Sequence, residues 1–391
     1  MDPDLTEEQR LVYHTVREFA AAEIRPHAAA WDRAGRFSWD LIPKMTSLGL
    51  WGMSIPPEHG GTGLSMTSVV MAVEALAWGD AGIALTVAAH NGLCATHIAL
   101  AGSEDQKRWF LPRLAGGELG AWCLTEPGAG SDAAAIATRA TRSGDGWTLS
   151  GTKAFVTNGS LAGVYVVMAV TDPGRGPDGI SAFVFDRHTS GIQVGKEEDK
   201  LGMRSSDTAE VVFADCAVPG VLLLGEPGRG YRDAMRVLER ARIGMGALAV
   251  GLAQAALEAS VEYAGERKTF GRPLADHQAI QHMIADMATE IEAARLLVLR
   301  AADLADRGKP FRRESSMAKL FASEAAARAT AKAVQIHGGY GFMKAYPVER
   351  YYRDVKLTEI GEGTSEIQRI IIAKSLHPRK SSGFSGGPGA N

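Results

Sequence analysis

The stretch from residue 280 to residue 305 constrains the fold of this chain more than any other. Ile280, Ile284, Met287, Ile291, Ala294, Val298, Ala301 and Ala305 step by four and three, a heptad-like seam over more than three heptads. A stripe of that length finds its burial against other long helices, so the spacing predicts an antiparallel bundle helix. A second helix is expected over about 312–337, ending at Gly338-Gly339, which suits a helix C-terminus.

The chain also begins helically. Leu11, Val12, Val16 and Phe19 recur at helical spacing, Pro26 lies beyond them, and further helices are expected at roughly 38–49, 65–78, 83–100 and 104–115. The glycines of His59-Gly60-Gly61-Thr62-Gly63 make a loop between two of these. Near residue 121 the pattern changes to strands: Trp147-Thr148-Leu149, Ala154-Phe155-Val156, Tyr165 to Val170, Ile180 to Phe185 and Glu210 to Phe213, punctuated by Asn158-Gly159, Asp172-Pro173-Gly174 and Pro177-Asp178-Gly179. From Gly228 the chain is helical again. The expected fold is therefore mainly α with a central β-domain, not an alternating α/β sheet. The expected divisions are an N-terminal helical domain over 1–120, a β-barrel or sandwich over 121–226, a helical bundle over 227–380 and a disordered Gly/Ser-rich tail over 381–391.

Composition removes several functions. A net charge of -3 on 391 residues sets up no strong field for nucleic acid or a membrane surface. Cys94, Cys123 and Cys216 are odd in number and far apart, which indicates a reducing compartment and gives no CxxC metal pair. His277 and His282 do not share a helical face, and His90 and His97 lack a carboxylate partner, so no metal is expected. No stretch reads as a membrane span, and the acidic start MDPDLTEEQR is neither a signal nor a transit peptide, so a cytoplasmic location is expected.

Four segments could carry chemistry. In Ile360-Gly361-Glu362-Gly363-Thr364-Ser365-Glu366-Ile367-Gln368-Arg369, one carboxylate sits between two glycines just before a helix. Ser365 and Gln368 have capping-box spacing, with Thr364 a competing N-cap. A glutamate on such an elbow can approach a ligand closely, as a general base must; the same text also fits an ordinary loop glutamate. Cys123-Leu124-Thr125-Glu126-Pro127-Gly128-Ala129-Gly130-Ser131-Asp132 exposes backbone N–H groups suited to a phosphate, without the strand–GxGxxG–helix setting of a Rossmann site. It reads equally as an interdomain turn. Arg267-Lys268-Thr269-Phe270-Gly271-Arg272-Pro273 places three cations at a break between helices, a phosphate clamp or a solvated basic loop. Gln335-Ile336-His337-Gly338-Gly339-Tyr340-Gly341 is a glycine-rich helix end, open to a ligand or simply a cap.

Taken together and in order, LTEPGAGSD, ERKTFG, QIHGGYGF and EGTSEIQR resemble the signatures of the acyl-CoA dehydrogenase family over about residues 5–378, most closely its short- and medium-chain branches. Gly195 to Arg204 reads like the short-chain branch. The resemblance implies three domains with FAD bound between them and across a subunit interface of a homotetramer. It implies α,β-dehydrogenation of an acyl-CoA thioester in fatty-acid β-oxidation, with electrons leaving to an electron-transfer flavoprotein. Carried over by position, Leu124 and Thr125 touch the flavin with Trp122 beside them, and Ser131 lies near the pyrophosphate and the CoA portion. Phe155 and Thr157 match the family's Trp-x-Thr, with Phe here in place of Trp. Arg267, Thr269 and Phe270 reach the FAD of the neighbouring subunit, and Gln278, Gln335 and Gly339 line the same dinucleotide. Thr364 and Glu366 close over the adenosine side. Arg242 and Gly363 lie at the substrate.

The same resemblance puts the base at Glu362, which takes the pro-R α-proton while the β-hydride goes to flavin N5. The family's alternative base position is Ala241 here, which takes no proton, and Glu239 points elsewhere on its helix. The residue before the base is often Tyr in the family and is Gly361 in this chain, which bears on acyl preference. Ala81 to Thr96 is expected to floor the acyl pocket. Three other readings stay open: a flavin oxidase or monooxygenase on the same scaffold, a non-catalytic helical interaction protein, and a decarboxylating glutaryl-CoA enzyme. The last uses an arginine near the position of Ala84 that this chain lacks.

Overall fold

The structure is a computed structural model, and residues 5–376 are described. The expected tail at 381–391 lies outside the described residues. Seven helices form the first part: α1 (Glu7–Phe19), α2 (Ala28–Ala34), α3 (Leu41–Ser47), α4 (Met66–Gly79), α5 (Ala81–Ala89), α6 (Thr96–Ala101) and α7 (Glu104–Ala115), with a π-helical turn over His90–Ala95 joining α5 to α6. Thr6 caps α1 in a capping box with Gln9. One detail of the α1 reading fails: Leu11 faces solvent at 65% exposure, and Tyr13 joins Val16 in the core instead.

The middle part holds β1 (Gly120–Cys123), β2 (Arg139–Ser143), β3 (Gly146–Thr157), β4 (Val164–Val170), β5 (Ile180–Asp186), β6 (Ile192–Glu197), β7 (Thr208–Val218) and β8 (Leu223–Leu224). The two short runs expected at 147–149 and 154–156 are one bulged strand, β3. β1, β2 and β6 were not legible, because two of them are short and β6 is almost wholly exposed. Strands run in the order β6-β7-β3-β2-β4-β5-β8, and β1 pairs in parallel with β4 from Gly120↔Val164 to Cys123↔Val167. β2 meets β4 further along, at Arg139↔Val170, so the sheet forks at β4. On β4, Val164, Val166 and Met168 face a core shared with Phe110, Leu111 and Leu114 of α7, while Tyr165, Val167 and Ala169 face one shared with Phe183, Phe185 and Phe213. Both faces are buried, which explains why this strand reads as a continuous apolar run.

The last part is built on α8 (Gly230–Glu266), α9 (Gln278–Asp306) and α10 (Arg312–His337). The strand pair β9 (Lys268–Thr269) and β10 (Arg272–Pro273) turns the chain between α8 and α9. Three shorter helices follow: α11 (Val348–Asp354), α12 (Lys356–Ile360) and α13 (Ser365–Leu376). The heptad seam lies on α9, where Met287, Ile291, Ala294, Val298, Ala301 and Ala305 are buried. α10 ends at Gly338 with φ +58°.

α8 packs against α4 as well as α9 and α10, so the first and last parts share one apolar core. Gly251 makes that approach possible: a Cβ there would lie 2.1 Å from the carbonyl oxygen of Glu74. Contrary to the sequence reading, two helical stretches, Ala81–Ala101 and Gly230–Glu266, are long and apolar enough to span a membrane. Most of each is buried inside the protein, which marks them as core helices.

Candidate active site

Helices α8, α10 and α12 converge on Glu362. α12 stops at Gly361, and Glu362 takes φ +56°, a left-handed conformation that costs a non-glycine residue about 1 kcal/mol or more. Gly363 follows at φ +95°. The turn is tied from within: Lys319 Nζ donates to the Gly363 carbonyl at 2.6 Å, and Gln368 Nε2 donates to the same oxygen at 2.8 Å and to the Glu362 carbonyl at 3.3 Å. The Ser365–Gln368 capping box does not form, because the Gln368 amide is engaged by these carbonyls. Thr364 caps α13 instead, its Oγ1 accepting from Ile367 N at 3.4 Å. Among the described residues the backbone N–H of Glu362 donates to no protein acceptor, so it remains available to a ligand oxygen.

Glu362 is half-buried as a whole residue, but its Oε2 is fully buried without a hydrogen-bond partner. Burial pushes the carboxyl up to about 7, against the lowering influence of the Lys319 and Arg242 charges. Lys319 is fully buried, and desolvation pushes its ammonium down to about 8. Arg242, on α8, is 4% exposed and leaves Nε and Nη1 without partners. Burial disfavours its charge too, although a guanidinium stays protonated. A carboxyl poised near neutrality, in a dry site flanked by two cations, is the arrangement a general base requires. Glu239 is turned away toward Arg312, 3.4 Å distant, and Ala241 is buried beside Arg242.

A second group gathers where β1 and β3 end. Leu124 is buried and Thr125 half-buried, with the Thr125 carbonyl accepting from Ala154 N at 2.9 Å. Phe155 is 65% exposed at φ +54°, turned outward by an irregularity in the β3–β7 ladder between Lys153 and Val156. Thr157 follows it on the strand, and Ser131 is exposed on the loop after β1. Trp122 Nε1 donates to His97 Nδ1 at 2.9 Å. Burial holds His97 neutral, its pKa lowered to about 3, so the Trp122 indole is fixed by an uncharged acceptor. Sequence reasoning weighed His97 only as a metal ligand and passed over Lys319.

A third group lines a cavity of about 580 Å³ on the bundle: Arg267, Thr269, Gln335, Gly338, Gly339 and Tyr340 among others. Phe270 stands beside it, 97% exposed, and Gln278 is exposed at the start of α9. The residues lining this cavity include none of the Trp122–Thr157 group and none of the Glu362 turn. The sequence-predicted residues thus form separate clusters within one chain. A cleft of about 620 Å³ between residues 30–40 and Ser160, Leu161, Glu197 and Asp207 is larger but contains none of them.

A helical part, a forked sheet and a long-helix bundle that carries Glu362 make up the scaffold. Residues 6–118, 121–216 and 228–377 match the family models of the acyl-CoA dehydrogenase N-terminal, middle and C-terminal domains. The chain belongs to the acyl-CoA dehydrogenase family. It is 47% identical over 382 residues to the acryloyl-CoA reductase (NADH) of Anaerotignum propionicum, covering 97% of each protein. The butyryl-CoA dehydrogenase of Megasphaera elsdenii superimposes with a TM-score of 0.94 at 44% identity, over 96% of this chain and 100% of that one. A chain from a structural study of the electron transferring flavoprotein of Acidaminococcus fermentans gives 0.94 at 46% identity, over 96% of this chain and 99% of that one.

Proposed function

We propose that Glu362 is the base of an FAD-dependent acyl-CoA dehydrogenase acting on short acyl chains. The class is that of its family: α,β-dehydrogenation of an acyl-CoA thioester, with electrons passed to an electron-transfer flavoprotein. The observation carrying the residue assignment is the buried, unpartnered Glu362 Oε2 between Arg242 and Lys319.

The donor set fits FAD. Phe155 offers an exposed aromatic face beside the Leu124-Thr125 peptides, with Trp122 held alongside and Thr157 and Ser131 within the same cluster. Arg267, Thr269, Gln335 and Gly339 bring a cation, an amide and open backbone to one cavity suited to a dinucleotide phosphate, with Phe270 and Gln278 at its side. Because these clusters are separate in one chain, a flavin shared between subunits of a homotetramer is part of this reading. Thr364 and Glu366 stand at the start of α13 for its adenosine side.

When bound, FAD supplies the acceptor for the β-hydride. The chain's own residues handle the proton. Glu362, ionised, removes the α-proton. Its free N–H donates to the thioester oxygen as charge builds there, an interaction typically worth ~3–4 kcal/mol. Arg242 and Lys319 favour the ionised form and offset part of the effect of burial. Gly361 leaves space beside the base, and Ala84, Ala88 and Ala89 border the expected acyl floor. Cytoplasmic location completes the reading, since Cys94, Cys123 and Cys216 are buried free thiols suited to a reducing compartment.

The test is direct. The purified protein should show a flavin spectrum that bleaches anaerobically with butyryl-CoA and reoxidises slowly in air; fast reoxidation would favour the oxidase reading. The relative named as a reductase makes the reverse direction a second reading, supported if NADH and acryloyl-CoA turn over faster than butyryl-CoA and a dye acceptor.

A further inference from the structure

Lys319 is the least expected group near the base. It sits on α10 between Ala318 and Leu320, in line with Ser315, Ala322, Ala326 and Ala329 on a face of small buried residues. A lysine with no solvent exposure needs a reason to be there. Its ammonium meets the Gly363 carbonyl at 2.6 Å, directly after the left-handed residue that carries the reactive carboxylate.

We propose that Lys319 is a positioning residue for proton abstraction, clamping the Gly363 carbonyl so that the left-handed turn presents the Glu362 carboxylate to the substrate. The proposal rests on Glu362 being the base. Gln368 donates to the same carbonyl, so the turn is held by one charged and one neutral donor. A strained turn persists only when its surroundings over-determine it, and Lys319 supplies the charged part of that restraint. The same ammonium acts electrostatically. It is the first of the two cations that oppose the effect of burial on Glu362, the other being Arg242 on α8. Glu359 on α12 and Glu366 on α13 act on Lys319 in turn, and Glu239 and Arg312 act on Arg242.

Two variants separate the clamp from the charge. Lys319→Gln retains a donor for Gly363 and loses the charge; Lys319→Met loses both. Each is purified with FAD, its flavin-to-protein ratio measured, and its anaerobic flavin reduction by butyryl-CoA followed from pH 5.5 to 9. The expected result is near-normal flavin content in both. Removing the cation moves the acid limb of the rate to higher pH by about half a unit to one unit in both. In Lys319→Met the plateau also falls about tenfold or more, because small misplacements of a reacting group cost that much. A uniform loss with an unmoved limb, wild-type behaviour in both variants, or failure of both to fold with flavin would each overturn the proposal and assign Lys319 to the core alone. Glu362→Gln run alongside separates the two claims. If it reduces flavin like wild type, the base reading fails; if it is inert while the Lys319 variants behave as wild type, only the positioning role fails.

Discussion

The ammonium of Lys153 lies 2.7 Å from Oε1 of Glu126, and both side chains are buried between the segment carrying Thr125 and the strand carrying Phe155. Lys153 Nζ also donates to the Leu124 carbonyl at 3.1 Å, and Glu126 accepts from Ala137 N at 2.6 Å and Thr138 N at 3.0 Å. Burial alone would push the Glu126 carboxyl up, and the Lys153 charge with these hydrogen bonds more than offsets it. The pair therefore locks the backbone of the Leu124–Glu126 segment to β3.

Lys153→Met leaves a buried carboxylate without its partner, a change that costs about 3–5 kcal/mol. The expected outcome is a protein that melts at lower temperature and loses FAD on dilution. Flavin-to-protein ratio after gel filtration, together with the melting temperature, checks this; full flavin retention with an unchanged melt would contradict it.

How much of this was legible depended on periodicity. The α9 seam was readable because eight apolar residues keep one spacing, and α10 because glycine ends it. Phe155 was placed by its motif, but its outward turn was not readable, since a bulge breaks the strand alternation that would place Lys153 and Phe155 on one face. Lys319 was missed for a related reason. A lysine in a helix reads as a solvated face, and only its alignment with Ser315, Ala322 and Ala326 marks it as interior. The capping of α13 was misassigned because Gln368 serves the Glu362 turn, a tertiary use that spacing does not reveal.

Asp354 offers a test of pH-dependent stability. Burial, and then the charge of Asp80, raise its carboxyl to about 7, partly offset by the Met203 N–H it accepts and by Arg350. Its folded value exceeds the unfolded one, so its stabilising contribution is fully present below about pH 4 and is lost as pH rises through about 7. Asp354→Asn should flatten the fall in melting temperature between pH 5.5 and 8, by a few degrees (about 2–4 °C per kcal/mol). Parallel melting curves for wild type and variant would refute it.

Gly361 has φ -62° and ψ 151°, open to any residue, and a Cβ there would meet Leu357 O at 3.4 Å and Met245 Cε at 3.5 Å, ordinary contacts. Gly361→Ala should stabilise by about 0.4–1 kcal/mol. Gly361→Tyr fills space beside the base, so KM should rise more for branched acyl-CoAs than for butyryl-CoA. An equal rise for both would contradict the role of Gly361 in acyl selection.

Glu362 must be ionised to accept a proton, and its carboxyl lies near 7 in the free protein. Flavin reduction under kcat/KM conditions should therefore rise with pH through a limb near 7. A rate that is flat from pH 6 to 8 would remove Glu362 as the titrating group.

The base assignment is tested most directly by single-turnover reduction of enzyme-bound FAD by butyryl-CoA in Glu362→Gln, measured anaerobically against wild type. The variant should retain its flavin spectrum and reduce it at least about 10³-fold more slowly, since on this reading it keeps the fold and loses the base. Reduction at the wild-type rate, with flavin intact, would contradict the assignment.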